Sequence, residues 1–189
     1  MAFIRTFVAI EASMEQRGHA GRLIERLKGA EANVNWVAAE YLHWTLKFIG
    51  NVDETEVHNV CRAVSTAAET IDSFELDCVG AGAFPDARRP RTVWAGAGQG
   101  SEPAMNLQAA IEDALEQLGY SPDGRQFHPH LTLGRVRGSG PATQRLGELI
   151  LQHDDFSVGK LIVDELVVFS SQLNKSGPRY TALAHTNLA

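Results

Sequence analysis

Apolar and polar positions alternate in two stretches of this chain. In Leu42–Phe48, Leu42, Trp44, Leu46 and Phe48 are interleaved with His43, Thr45 and Lys47. In Phe127–Leu133, Phe127, Pro129, Leu131 and Leu133 are interleaved with His128, His130 and Thr132. Successive strand residues point to opposite faces, so each stretch predicts a strand with one fully apolar side. The other side carries a histidine and a threonine two residues apart.

The remaining pattern predicts the elements around them. Residues 3–10 (FIRTFVAI) read as a buried strand, and residues 13–28 as a helix capped by Ser13 with Leu23, Ile24 and Leu27 inward. Strands are expected over 33–37 and 41–49. A helix then follows within residues 53–71, with Val57, Val60, Cys61 and Val64 at helical spacing. FELDCVGAG and TVWAGAG read as strands. PAMNLQAAIEDALEQLGY gives the clearest helix, with the stripe Leu107, Ile111, Leu115 and Leu118 ended by Gly119. A short helix near 141–152, one long strand near 156–169 and a last strand over 180–185 complete the chain. SQLNKSGP joins the last two as a turn-rich loop. Several strands follow one another across short connections, which predicts α+β with mainly antiparallel sheets and excludes a doubly wound parallel sheet. Trp36, Trp94 and Phe48 all have the parity of core residues.

Composition narrows the function classes. The 189 residues are 44% hydrophobic and 21% charged, with net charge -6, enough apolar material for one domain over 1–189. An acidic chain does not suit bulk electrostatic binding of nucleic acid, although Arg88, Arg89 and Arg91 form a local basic loop that could hold RNA beside a site. Cys61 and Cys78 belong to no C-x-x-C pair, which fits a reducing cytoplasm. No apolar run reaches membrane-spanning length, and the N-terminus reads as a first strand, not a signal peptide.

The repeated H-x-T-L supplies the candidate chemistry. Two related half-domains would set these strands on either side of a cleft. An imidazole titrates near 6.5, so one ring can be neutral while another is protonated. Such a pair serves as general base and general acid, each contributing about 10²–10⁴-fold in rate. A threonine hydroxyl one strand step away can bind an anionic oxygen. Phosphodiester cleavage needs this set, and no carboxylate cluster suggests a two-metal route.

These motifs resemble the paired H-x-T-x motifs of the two-histidine phosphoesterases. RTFVAI, LHWTLKFIGNV, AFPDARRPRTVW, FHPHLTLGR and SQLNKSGPRY are together similar to the bacterial and archaeal RNA 2′,3′-cyclic phosphodiesterases, formerly described as RNA 2′-5′ ligases. The resemblance implies a bilobal fold of two pseudo-twofold-related lobes, with both motifs in a central cleft. It implies opening of a 2′,3′-cyclic phosphate to a 2′-phosphate without a metal. His43 would then protonate the departing 3′ oxygen, His130 would activate water, and Thr45 and Thr132 would bind phosphoryl oxygens. The residues alone do not say which histidine is the acid.

Other residues keep alternatives open. Strict alternation turns Arg135 to the apolar side, away from His130, unless Gly134 marks a bulge that re-aims it. The resemblance places an arginine at this spacing, so phosphate contact stands beside a structural salt bridge. His128 shares the face of His130; a two-residue metal site there lacks a third ligand, and the expectation is a supporting role with no metal and no cofactor. The expected partner is RNA with a 2′,3′-cyclic phosphate end, or a cyclic nucleotide, acted on by a monomer. The alternatives are a 2′-5′ RNA ligase running the reverse reaction, and a non-catalytic RNA- or nucleotide-binding module.

Overall fold

The computed structural model of the chain describes residues 2–174 and 177–189. In chain order the elements are β1 (Phe3–Glu11), α1 (Met14–Lys28), β2 (Val34–Trp36), β3 (His43–Asp53), α2 (Val57–Ala68), β4 (Phe74–Phe84), β5 (Thr92–Ala97), α3 (Ser101–Glu116), β6 (His130–Val136), α4 (Pro141–Leu151), β7 (Ser157–Val163), β8 (Glu165–Asn174) and β9 (Gly177–Asn187). The nine strands form one sheet in the order β7-β4-β5-β6-β3-β1-β8-β9, with β2 beside β6. All pairings are antiparallel. The α+β architecture expected from the sequence is the one observed.

Local signals explain the helix ends. Ser13 caps α1 by accepting from the Gln16 N–H. After α3, Gly119 turns the chain at φ 87°, and the Tyr120 N–H returns to the Leu115 carbonyl. That early turn takes Leu118 out of the predicted stripe, and it is 42% exposed.

The helices cross over. α1 follows β1 yet packs against β7 and α4, while α3 follows β5 yet packs against α2. Each half of the sheet is thus covered on its convex side by helices that interlock the two halves. The core lies between helices and sheet. Leu23, Leu27, Leu107, Ile111, Leu115 and Leu146 meet Leu76, Leu131 and Leu133, all at 0% exposure. Burying each such leucine contributes about 1.5–3 kcal/mol. Trp44 joins them, and its indole N–H donates to Gln16 Oε1 at 3.1 Å.

Two expectations need correction. The long strand near 156–169 is two strands separated at Asp164: β7 pairs with β4 at one flank of the sheet, and β8 pairs with β1 and β9 at the other. A chain can pass from one flank to the other across a single residue only where the sheet curls, so the concave face becomes a trough. SQLNKSGP is mostly strand, since β8 runs to Asn174 and β9 starts at Gly177; residues 175 and 176 lie outside the described residues. Among the described residues no helix is long and apolar enough to cross a membrane.

Candidate active site

The two motif strands are neighbours. β3 and β6 pair antiparallel at Trp44 opposite Leu131, and past that pair β2 takes over as the partner of β6. Directly opposed strand residues share a face, so Trp44 and Leu131 both enter the core. Alternation then turns His43, Thr45, His130 and Thr132 together onto the concave face. All four line one cavity of about 310 Å³, with Tyr41, Phe48, Phe84, Asp123, Phe127, Arg135 and Tyr180 among its other walls.

The two histidines have matching surroundings. His43 Nδ1 lies 2.7 Å from the Tyr41 carbonyl, and His130 Nδ1 lies 2.7 Å from the His128 carbonyl. A carbonyl only accepts, so each Nδ1 carries a proton and each Nε2 is the nitrogen left for chemistry. Aromatic edges fix the ring planes. His43 meets Tyr180 at 5.5 Å and 87°, and His130 meets Phe84 at 5.0 Å and 88°. Phe7 also flanks His43 at 5.1 Å, and Trp94 flanks His130 at 6.4 Å.

Electrostatically the pair is not symmetric. Burial pushes both imidazoles below their ordinary 6.5, and the carbonyl hydrogen bonds partly oppose it. Beyond that, Glu11 favours the protonated form of His43 more than Arg17 disfavours it. His128 and Arg135 both disfavour the protonated form of His130.

A bulge decides the direction of Arg135. Along β6, Thr132 opposes Trp94 and Gly134 opposes Val93, so Leu133 is the extra residue. Gly134 therefore takes core parity and Arg135 returns to the concave face, where it is exposed and lines the cavity. At Gly134 an added Cβ would lie 2.7 Å from the Trp36 ring, so close packing requires glycine there.

The first motif has the same irregularity, and it overturns two expectations. Thr45 opposes Ala9 and Lys47 opposes Val8, leaving Leu46 as the extra residue. Lys47 is turned inward at 3% exposure, buried behind the cavity wall and not displayed beside Thr45. Its Nζ lies 2.9 and 3.0 Å from the two Glu112 carboxylate oxygens and donates to the Ser121 carbonyl. Phe48 emerges on the concave face, 54% exposed, and not in the core. Phe48 and Arg135 are equivalent positions of the two motifs.

Trp94 also departs from its expected core position. It opposes Thr132 and so faces the trough, packing on Phe84 at 5.3 Å. Its alternation partners Val93 and Ala95 fill the core. Gly82 makes room for it, since a Cβ there would lie 2.1 Å from the indole. Trp36 packs against the core as expected.

His128 precedes β6 and is exposed, and it touches the site chiefly through its carbonyl. Arg91 lines a cavity of about 850 Å³ beside His130, and Arg88 and Arg89 are exposed on their loop. Tyr41, Phe7, Phe84 and Tyr180 were not singled out by sequence. β1 is apolar on both faces, so a wall of the cleft and a wall of the core read alike there.

The family model of the 2′-5′ RNA ligase superfamily matches residues 16–175. The chain belongs to this superfamily. A relative in Methanothermobacter thermautotrophicus, named RNA 2′,3′-cyclic phosphodiesterase, is 36% identical over 179 residues, covering 94% of this chain and 95% of its own. A Thermotoga maritima protein of the same name is 31% identical over 180 residues, covering 95% and 93%. Among solved structures, E. coli LigT complexed with 3′-AMP superposes with TM-score 0.81 at 25% identity, over 100% of this chain and 99% of that one. A Thermus thermophilus protein shares the fold at TM-score 0.82 and 24% identity, over 98% of each chain.

Proposed function

We propose that this superfamily member is an RNA 2′,3′-cyclic phosphodiesterase that opens terminal 2′,3′-cyclic phosphates to 2′-phosphates by acid–base chemistry of His43 and His130. The observation that carries the reading is the matched pair of imidazoles, each with Nδ1 tied to a carbonyl, in one cavity with both threonines. The names of the relatives support the substrate.

In this reading the neutral Nε2 of His130 takes a proton from water as the water oxygen bonds to phosphorus. The bond from phosphorus to O3′ breaks, and the Nε2–H of protonated His43 passes its proton to O3′. The product carries a 2′-phosphate, and the two histidines exchange their protons with solvent before the next turnover. Glu11 beside His43 favours its protonated form and Arg135 beside His130 disfavours protonation there, which suits this assignment. Thr45, Thr132 and Arg135 are proposed to hold the non-bridging oxygens, where the phosphorane charge develops. His128 supports the site by orienting His130 through its carbonyl. No metal and no cofactor enters the scheme.

Both motifs come from one chain, so the proposed unit of activity is the monomer. The proposed compartment is the cytoplasm, where the free thiols of Cys61 and Cys78 stay reduced. The test is the product formed from an oligonucleotide 2′,3′-cyclic phosphate without added metal. A 2′-phosphate supports the reading. A 3′-phosphate, or unreacted substrate, overturns it. Adding a 5′-hydroxyl oligonucleotide distinguishes ligation from hydrolysis.

A further inference from the structure

In a displacement at phosphorus the entering and leaving oxygens lie in line, on opposite sides of the phosphorus. With water at His130 and O3′ at His43, the ribose bearing O3′ must lie on the His43 side of the cleft. This step rests on the acid–base assignment proposed above.

A cavity of about 440 Å³ opens on that side, lined by Arg5, Phe7, Phe48, Asn51, Arg135 and Tyr180 among others. Alternation along β1 places Arg5 on the same face as Phe7 and Glu11, with Phe7 opposite Phe48 and Glu11 opposite His43. Phe7 touches the His43 ring, and Arg5 is the next side chain outward along that face, about 7 Å farther at 3.4 Å per strand residue. Burial raises the Tyr180 phenol above its ordinary range while Arg135 and Arg5 pull it back, so both guanidiniums act on the same wall. Among the described residues neither arginine forms an ion pair. Arg135 stands at the reacting phosphate. Arg5 stands farther out on the His43 side, where a chain leaving the ribose along β1 would meet it.

We propose that Arg5 pairs with the internucleotide phosphate preceding the terminal nucleotide, making a cyclic-phosphate-ended RNA chain the preferred substrate over a free cyclic mononucleotide. A nucleoside 2′,3′-cyclic phosphate lacks that second anion. The guanidinium fork matches a phosphodiester, and the contact is charge-assisted.

The experiment compares kcat/KM for a trinucleotide ending in a 2′,3′-cyclic phosphate with that for the corresponding nucleoside 2′,3′-cyclic phosphate. The wild type should prefer the trinucleotide, and Arg5→Gln should cut that preference roughly tenfold, mainly through KM. A trinucleotide with a neutral methylphosphonate at the link before the terminal nucleotide should lose the same advantage with the wild type, and lose no more with Arg5→Gln. Arg125→Gln, on the His130 side, should leave the preference in place. The proposal is overturned if the wild type shows no preference or if Arg5→Gln keeps it. Loss of the preference in Arg125→Gln alone also overturns it, and reverses the direction of RNA across the cleft. Hydrolysis of neither substrate by the wild type overturns the functional reading and this inference together.

Discussion

Replacing Lys47 by methionine removes a buried cation while keeping most of the side chain's length. The lysine is 3% exposed, and its Nζ touches both Glu112 oxygens, the Ser121 carbonyl and, at 3.6 Å, the Asp123 carboxylate. Breaking a buried ion pair from one side costs about 3–5 kcal/mol, because the remaining charge stays desolvated. Glu112 retains the Gln108 side-chain amide and the Asp123 N–H as donors, which favours the low end, about 3 kcal/mol. For a chain of this size each kcal/mol lowers Tm by about 2–4 °C, so a drop of roughly 6–12 °C is expected. Urea unfolding followed by tryptophan fluorescence measures the loss directly, as a lower midpoint at unchanged slope. Adding Glu112→Gln to Lys47→Met removes the stranded charge and should recover about 1–2 kcal/mol. A loss below about 1 kcal/mol for Lys47→Met, or a double variant no more stable than the single one, refutes the buried-pair account.

Two further predictions concern the chemistry. The kcat/KM profile should be bell-shaped, falling at low pH as His130 gains a proton and at high pH as His43 loses one. Burial lowers both groups, so the maximum should lie on the acid side of 6.5. Glu11→Gln should move the alkaline limb to lower pH, and an unmoved limb counts against His43 as the acid. Thr132→Val keeps the side-chain shape and removes one donor; kcat should fall about 10²-fold or more with little change in Tm, whereas unchanged kcat removes Thr132 from the site.

The alternation of His43-Trp44-Thr45 and His130-Leu131-Thr132 is enough to read the shared face, because each strand is regular as far as its threonine. What followed was hidden by the two bulges. Gly134 hinted at one of them, and only contact with Val34 and Trp36 explains it. Lys47 offers no hint, since alternation puts it on the face of His43 and Thr45 until Glu112 is brought to it from α3 by the fold. Trp94 departs from its expected place for a different reason. Its parity and neighbours suggest the core, but it opposes Thr132, which faces the trough. The open trough takes the large rings, leaving Val93 and Ala95 inside. The partners of β7 and β8 depend on the curl of the whole sheet, which no local pattern encodes.

The central claim is that two histidines suffice for the reaction. The most direct test is hydrolysis of a nucleoside 2′,3′-cyclic phosphate in excess EDTA by the wild type, His43→Ala and His130→Ala. The account predicts full wild-type activity under chelation and a loss of about 10²-fold or more in each variant, with the fold retained. Activity abolished by the chelator, or persisting in either single variant, would contradict it.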